Sequence, residues 1–239
     1  DNIGRYKVDV FREFIECVAP KVAVTAVAAP LLDSEALSHA KTADLLLGCV
    51  DGHGARLSLN HLSVRYLIPL IDAGTGARLK TDSLAARLGG QVQVVAPGAG
   101  CLECRGFIHP QRAAHDLAPP AVQEHERAHG YGTEEAAPSV IFLNGVVASM
   151  QVAETVRIFA AASGQTVATP NLVVYDAQAQ RTFPATVPYS PECATCGIYG
   201  VAGVADLAPL QAAPTTGSAF LPASLELVGA EYAESNSAK

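Results

Sequence analysis

Cysteine spacing constrains this chain more than any other feature. Cys101-Leu102-Glu103-Cys104 and Cys193-Ala194-Thr195-Cys196 each place two thiols on one tight turn, and residues 105–192 separate the pairs. Gly98, Gly100, Pro191 and Gly197 flank them, the residue types that such turns favour. Four thiolates in two knuckles match a tetrahedral zinc ion in a closed structural site. A metal held in this way ties two distant stretches together, so the fold must bring both into one coordination sphere. Four reduced thiols, or a redox dithiol, are the alternatives. Catalytic zinc is disfavoured, because four sulfur ligands leave no open position for water. The remaining cysteines, Cys17 and Cys49, stand next to apolar residues and read as small buried hydrophobes.

The rest of the composition supports a folded core. Of 239 residues, 49% are hydrophobic and 16% charged, which excludes a disordered acidic chain. A net charge of −7 argues against nucleic acid or an anionic membrane as partner. No apolar signal region opens the chain between Asp1 and Phe11. The longest apolar stretch, Val140 to Ala162, is interrupted by Asn144, Gln151, Glu154 and Arg157. Those polar groups are costly in a bilayer, so the stretch reads as a buried core helix. Together these features point to a soluble, cytoplasmic protein.

Apolar β-branched runs predict strands at Val22–Val27, Leu45–Val50, Leu67–Ile71, Gln91–Val95 and Leu172–Tyr175. Helical spacing joins Phe11, Phe14, Ile15 and Val18, and again Leu59, Leu62 and Tyr66. Asp33-Ser34 caps a short helix over Glu35–Ala40. Strands alternating with helices predict an α/β fold with a mainly parallel sheet. Arg105–Pro138 reads as a loop, with a helical stretch near Val122–His129. His109, His115, His125 and His129 in this loop are better read as solvated than as a second metal site. Residues 205–239 form an Ala/Pro/Ser-rich tail, with one strand expected at Ser224–Val228.

Asp51 follows the apolar strand that ends at Val50 and precedes a helix. Ligands of open α/β sheets bind at the carboxyl ends of strands, where a carboxylate can hold Mg²⁺ against phosphates. A plain helix N-cap is the alternative. Asp72 follows Leu70-Ile71 in the same way.

The order of signals resembles the ThiF/MoeB/HesA family of activating enzymes. The resemblance runs through Ile3-Gly4-Arg5-Tyr6-Lys7, Ala43–Asp51, Ala55-Arg56, Asn60, Ile68–Gly74, Val94–Gly98, both cysteine knuckles and Leu172–Asp176. It implies a Rossmann-like three-layer fold stapled by a four-cysteine structural zinc, with an adenylation domain over 1–204 and a crossover loop over 105–139. It implies ATP and Mg²⁺ as cofactors and an adenylyltransferase that activates the C-terminal glycine carboxylate of a ubiquitin-like or sulfur-carrier protein. Lys7 matches the family's phosphate-contacting lysine and Asp51 its Mg²⁺/ATP aspartate. Arg56 and Asn60 match polar positions near the nucleotide or the substrate tail. Cys101, Cys104, Cys193 and Cys196 match the zinc ligands. The family is usually dimeric, so a homodimer or a heteromeric activating complex is expected.

Three departures stand beside the resemblance. No Gly-x-Gly-x-x-Gly turn occurs, so the match starts mid-domain and further residues are expected before Asp1. No cysteine lies between Arg105 and Val140, where members that form a thioester or persulfide place one. Gly52 follows the key aspartate where the family usually has Asn. A non-catalytic scaffold half of a heteromeric enzyme, or adenylation of a peptide carboxylate, are the alternative functions.

Overall fold

The computed structural model describes residues 2–79, 86–128, 140–162, 170–207 and 210. The chain divides into two units, Asp1–Ala43 and Asp44–Lys239. The first contains α1 (Lys7–Val18) and α2 (Ser34–Lys41). Both were expected from spacing and capping: the Asp33 carboxylate accepts the Glu35 amide at 3.0 Å and caps α2. Val22–Val27, expected as a strand, is irregular. Cys17, expected to be buried, is exposed, because α1 buries no residue within its unit.

The second unit holds a five-stranded sheet in the order β1 (Leu46–Gly48), β2 (Leu70–Leu79), β3 (Ala86–Val95), β4 (Leu172–Asp176), β5 (Arg181–Ala185). Helices α3 (His53–Tyr66), α4 (Pro110–Leu117), α5 (Pro120–Ala128) and α6 (Ile141–Ala162) accompany it. The α/β class stands, but the mainly parallel sheet does not. Only β1 and β2 pair parallel, and the other three pairings are antiparallel. The β–α–β alternation behind the expectation holds once, through β1–α3–β2. After that β2 pairs with β3, and β4 with β5, with no helix between them among the described residues. A buried apolar run looks the same in either pairing, so the sequence pattern did not separate them.

Strand alternation places the helices. Ile71 and Ala73 of β2 join Val92 and Val94 of β3 and Val147 of α6 in one buried cluster. Leu70 and Asp72 point to the opposite face, where Arg56 of α3 meets Asp72. The sheet therefore lies between α6 and α3, as a three-layer fold requires. The face toward α3 also carries Gln93, whose amide reaches the carbonyls of Gly100 and Cys101 at 3.2 and 3.3 Å. That bond fixes the first knuckle to the sheet.

Three expectations need local correction. The strand expected from Leu67 starts at Leu70, because Leu67 has φ 56° and ends α3 in the left-handed region. Residues 105–138 are not simply a loop, since they fold α4 as well as α5. The Val140–Ala162 helix forms, but only one face is core: Leu143, Val147 and Gln151 are buried, while Phe142, Val152, Val156 and Phe159 are exposed. No helix among the described residues is long and apolar enough to cross a membrane. The expected strand at Ser224–Val228, His129 and most of the 205–239 tail lie outside the described residues.

Candidate functional site

The four knuckle cysteines converge. Their Sγ atoms all lie within 4.8 Å of one another, with Cys101–Cys193 at 3.6 Å, Cys104–Cys196 at 3.3 Å and Cys101–Cys104 at 3.9 Å. A tetrahedron of thiolates around zinc has edges of about 3.8 Å, given bonds of about 2.3 Å. The donor set and its spacing therefore fit zinc. Burial pushes the Cys101 thiol up to about 12 and raises Cys196 as well. Without a cation these two stay protonated at neutral pH, so metal binding must displace their protons. Gly197 is required by the second knuckle: a Cβ there would lie 2.4 Å from the carbonyl oxygens of both Cys193 and Pro191. Among the described residues, no other group of His, Cys, Asp and Glu has metal-ligand spacing.

Asp51 lies in the turn between β1 and α3, with its residue exposed. Its neighbours are arranged to hold that turn. Arg56, only 8% exposed, turns its donors toward the sheet: Nε to both Asp72 carboxylate oxygens at 3.3 and 3.2 Å, Nη2 to the Ala73 carbonyl at 3.3 Å. Its Nη1 reaches the Asp51 carbonyl at 3.5 Å. The Arg56 guanidinium also lies 5.1 Å from the Phe107 ring centre, and the Arg105 guanidinium lies 5.3 Å from it. Asp72 is fully buried in the middle of the sheet rather than at a strand end, because β2 continues to Leu79. Burial raises its carboxyl to about 6, against the pull of Arg56 and Arg105. It is a partner for Arg56, not a second metal-binding strand terminus.

The α3 N-terminus has an unexpected cap. Gly52 offers no side chain, and the Gly54 amide instead donates to Asp116 Oδ2 of α4 at 2.9 Å. The His109 amide, at the start of α4, donates to His53 Nδ1 at 3.2 Å. A Cβ at Gly52 would lie 2.9 Å from the Asp116 carboxylate, and one at Gly54 would lie 2.6 Å from Asp116 Cβ. Glycine at position 54 is what lets α4 seat on α3, whereas a Cβ at Gly52 would meet only the end of the Asp116 side chain.

Asn60, expected near the nucleotide or the substrate tail, has its side chain against the first knuckle. It is fully buried; its Oδ1 accepts the Leu102 amide at 3.1 Å and its Nδ2 donates to Glu103 at 3.3 Å. Lys7 opens α1 in the first unit and is exposed there. Cys49, expected to be buried, is exposed just beyond β1, and its thiol donates to Gln151 Oε1 at 3.2 Å. Sequence reasoning missed Glu103, Thr195, His61 and Asp116. Glu103 and Thr195 are the variable residues of their knuckles, and Asp116 acts across a separation that no motif marks.

One α/β domain thus carries a two-knuckle thiolate cluster and an aspartate-bearing strand-to-helix turn. The chain belongs to the ThiF family, whose model matches residues 1–195. It is 26% identical over 202 residues to the molybdopterin-synthase adenylyltransferase of Escherichia coli (strain K12), across 82% of this chain and 68% of that protein. It is similar in fold to E. coli MccB solved with ATP, with a TM-score of 0.55 and 18% identity. That alignment spans 81% of this chain and 51% of MccB. MccB solved with AMPCPP and MccA gives a TM-score of 0.58 at 16% identity, over 81% and 52% of the two chains. The chain thus spans about half the length of MccB.

Proposed function

We propose that this protein uses ATP to adenylate a carboxylate, and that the carboxylate is the C-terminal glycine of a ubiquitin-like or sulfur-carrier protein. Membership of the ThiF family over 1–195 carries this reading. A relative named for adenylyl transfer and a fold neighbour solved with ATP support it. In the reaction a carboxylate oxygen attacks the α-phosphorus of ATP. The bond from that phosphorus to the bridging oxygen breaks, and pyrophosphate leaves.

The residues divide that work. Asp51, at the carboxyl end of β1, would hold Mg²⁺, which would offset negative charge on the nucleotide. Lys7 offsets the charge developing on the α-phosphate. Arg56 fixes the Asp51 turn through the Asp51 carbonyl, and its pairing with Asp72 keeps it from swinging away. Gly54 admits α4 beside the turn. Cys101, Cys104, Cys193 and Cys196 hold zinc, which supplies a structural cross-link and no reactive position. The domain comprises 1–204 with its crossover segment at 105–139, and it works as a dimer or a heteromeric complex in the cytoplasm.

The test is isotope exchange between pyrophosphate and ATP, using full-length protein and a ubiquitin-like protein with a free C-terminal glycine. Label should enter ATP only when the carrier is present, and a carrier with an amidated C-terminus should give none. Exchange that ignores the state of the C-terminus contradicts the substrate assignment.

A further inference from the structure

Between the knuckles lies a polar network that the adenylation reading does not use. Glu103 and Thr195 hold equivalent places, each immediately before the second cysteine of its knuckle. The Thr195 hydroxyl donates to Glu103 Oε2. His61 Nε2 lies 2.9 Å from the Thr195 oxygen and 3.5 Å from Glu103 Oε2. Asn60 Nδ2 donates to the same carboxylate oxygen, and Asn60 Oδ1 accepts the Leu102 amide. Thr195 is 1% exposed and Asn60 fully buried.

Proton counting orders these bonds. Threonine has one hydroxyl proton, and it goes to Glu103. The Thr195 oxygen must then accept from His61, which sets the imidazole with its proton on Nε2. The result is a directed set: His61 to Thr195 to Glu103, with Asn60 joining from the same helix. It links one knuckle to the other and both to α3 without passing through sulfur.

We propose that Glu103 and Thr195 are positioning residues that hold the two knuckles in register, so that the four thiols face one another before a metal arrives. The two knuckles are far apart in sequence. Closing so long a loop on an ion costs entropy that a preset pair of turns has already lost. Groups that orient metal ligands change affinity by about 10- to 100-fold when removed. Asn60 and His61 extend the same hold to α3, the helix that follows the Asp51 turn. The proposal rests on the four-thiolate metal reading.

The test compares release of zinc from the full-length protein to the coloured chelator 4-(2-pyridylazo)resorcinol, after elemental analysis of each preparation. Thr195→Val removes the hydroxyl at nearly constant volume, and zinc should leave about 10- to 100-fold faster than from the parent protein. Thr195→Ser restores the hydroxyl and should return the rate to the parent value. Cobalt substitution should show altered thiolate-to-cobalt absorption in the valine variant and parent-like absorption in the serine variant. Should Thr195→Val not fold, His61→Ala on the partly exposed side of the network serves, with release expected several-fold faster. Zinc present and released at the parent rate from the folded variants overturns the proposal, and so does a lowered melting temperature with unchanged release. A parent protein that holds no zinc overturns the metal reading itself, and the proposal with it.

Discussion

Arg56 and Asp72 form the most constrained pair in the second unit. Asp72 is fully buried, and its single carboxylate feels both Arg56 and Arg105. Burial nevertheless prevails and lifts the carboxyl to about 6. In the unfolded chain an aspartate titrates near 4. Between about pH 4 and 6 the folded state therefore binds a proton that the unfolded state lacks. Stability from this group is complete below about pH 4 and is lost as pH rises through 6, an effect on the order of 3 kcal/mol. Asp72→Asn should remove that fall, because asparagine stays neutral at every pH, as the protonated aspartate does at low pH. Urea midpoints of the two proteins should lie close together at pH 4 and separate towards pH 7 as the parent falls and the variant does not, whereas parallel profiles would contradict the account. At this scale the sequence was informative about charge type and silent about setting. Asp72 and Asp51 both follow apolar runs, and the sequence did not reveal that β2 continues past Asp72 while β1 stops before Asp51.

Helix α3 depends on its neighbour for its start. Its first turn is capped by Asp116 from α4, and Gly54 clears the space for that contact. Gly54→Ala gains about 1 kcal/mol of helix propensity. Against this, the new methyl group would meet Asp116 Cβ at 2.6 Å and Leu117 Cγ at 2.9 Å. Overpacking of that kind costs about 1–3 kcal/mol, so the clash should win. The melting temperature should drop by roughly 2–4 °C; a rise would mean that α4 does not seat there. Asp116→Ala should cost about 1 kcal/mol through loss of the cap, readable in the same melts. Helices with a clear apolar spacing, such as α1 and α3, were legible from sequence. Helix α4 was not: it is eight residues long with only Ala113 buried, so it leaves no apolar stripe to read. Strand β5 was missed for a related reason, since four of its five residues are exposed and Pro184 interrupts the run.

Across the second unit the four-cysteine cluster is a long-range constraint. It joins 101–104, which hang from β3 through Gln93, to 193–196, which follow β5. Cys193→Ser should lower zinc content by elemental analysis and the melting temperature together; full zinc content and an unchanged melt would count against the staple. The cysteine spacing alone foretold this closure, because two knuckles at one metal must meet wherever the chain goes between them. It did not foretell the strand directions, which depend on backbone pairing that four sulfur ligands do not constrain. Nor did it foretell the Glu103–Thr195 link, since nothing about those residue types marks them as partners.

Adenylation through the Asp51 turn is the claim on which the rest depends. Its most direct measurement is ATP–pyrophosphate exchange by full-length protein and its Asp51→Ala variant, each with the carrier protein present. Folding of the variant is checked by its melt. The account predicts exchange in the parent and none above background in the variant, because the other carboxylate at this turn, Asp116, is engaged by the Gly54 amide. Exchange at near-parent rate in a folded Asp51→Ala variant would contradict it.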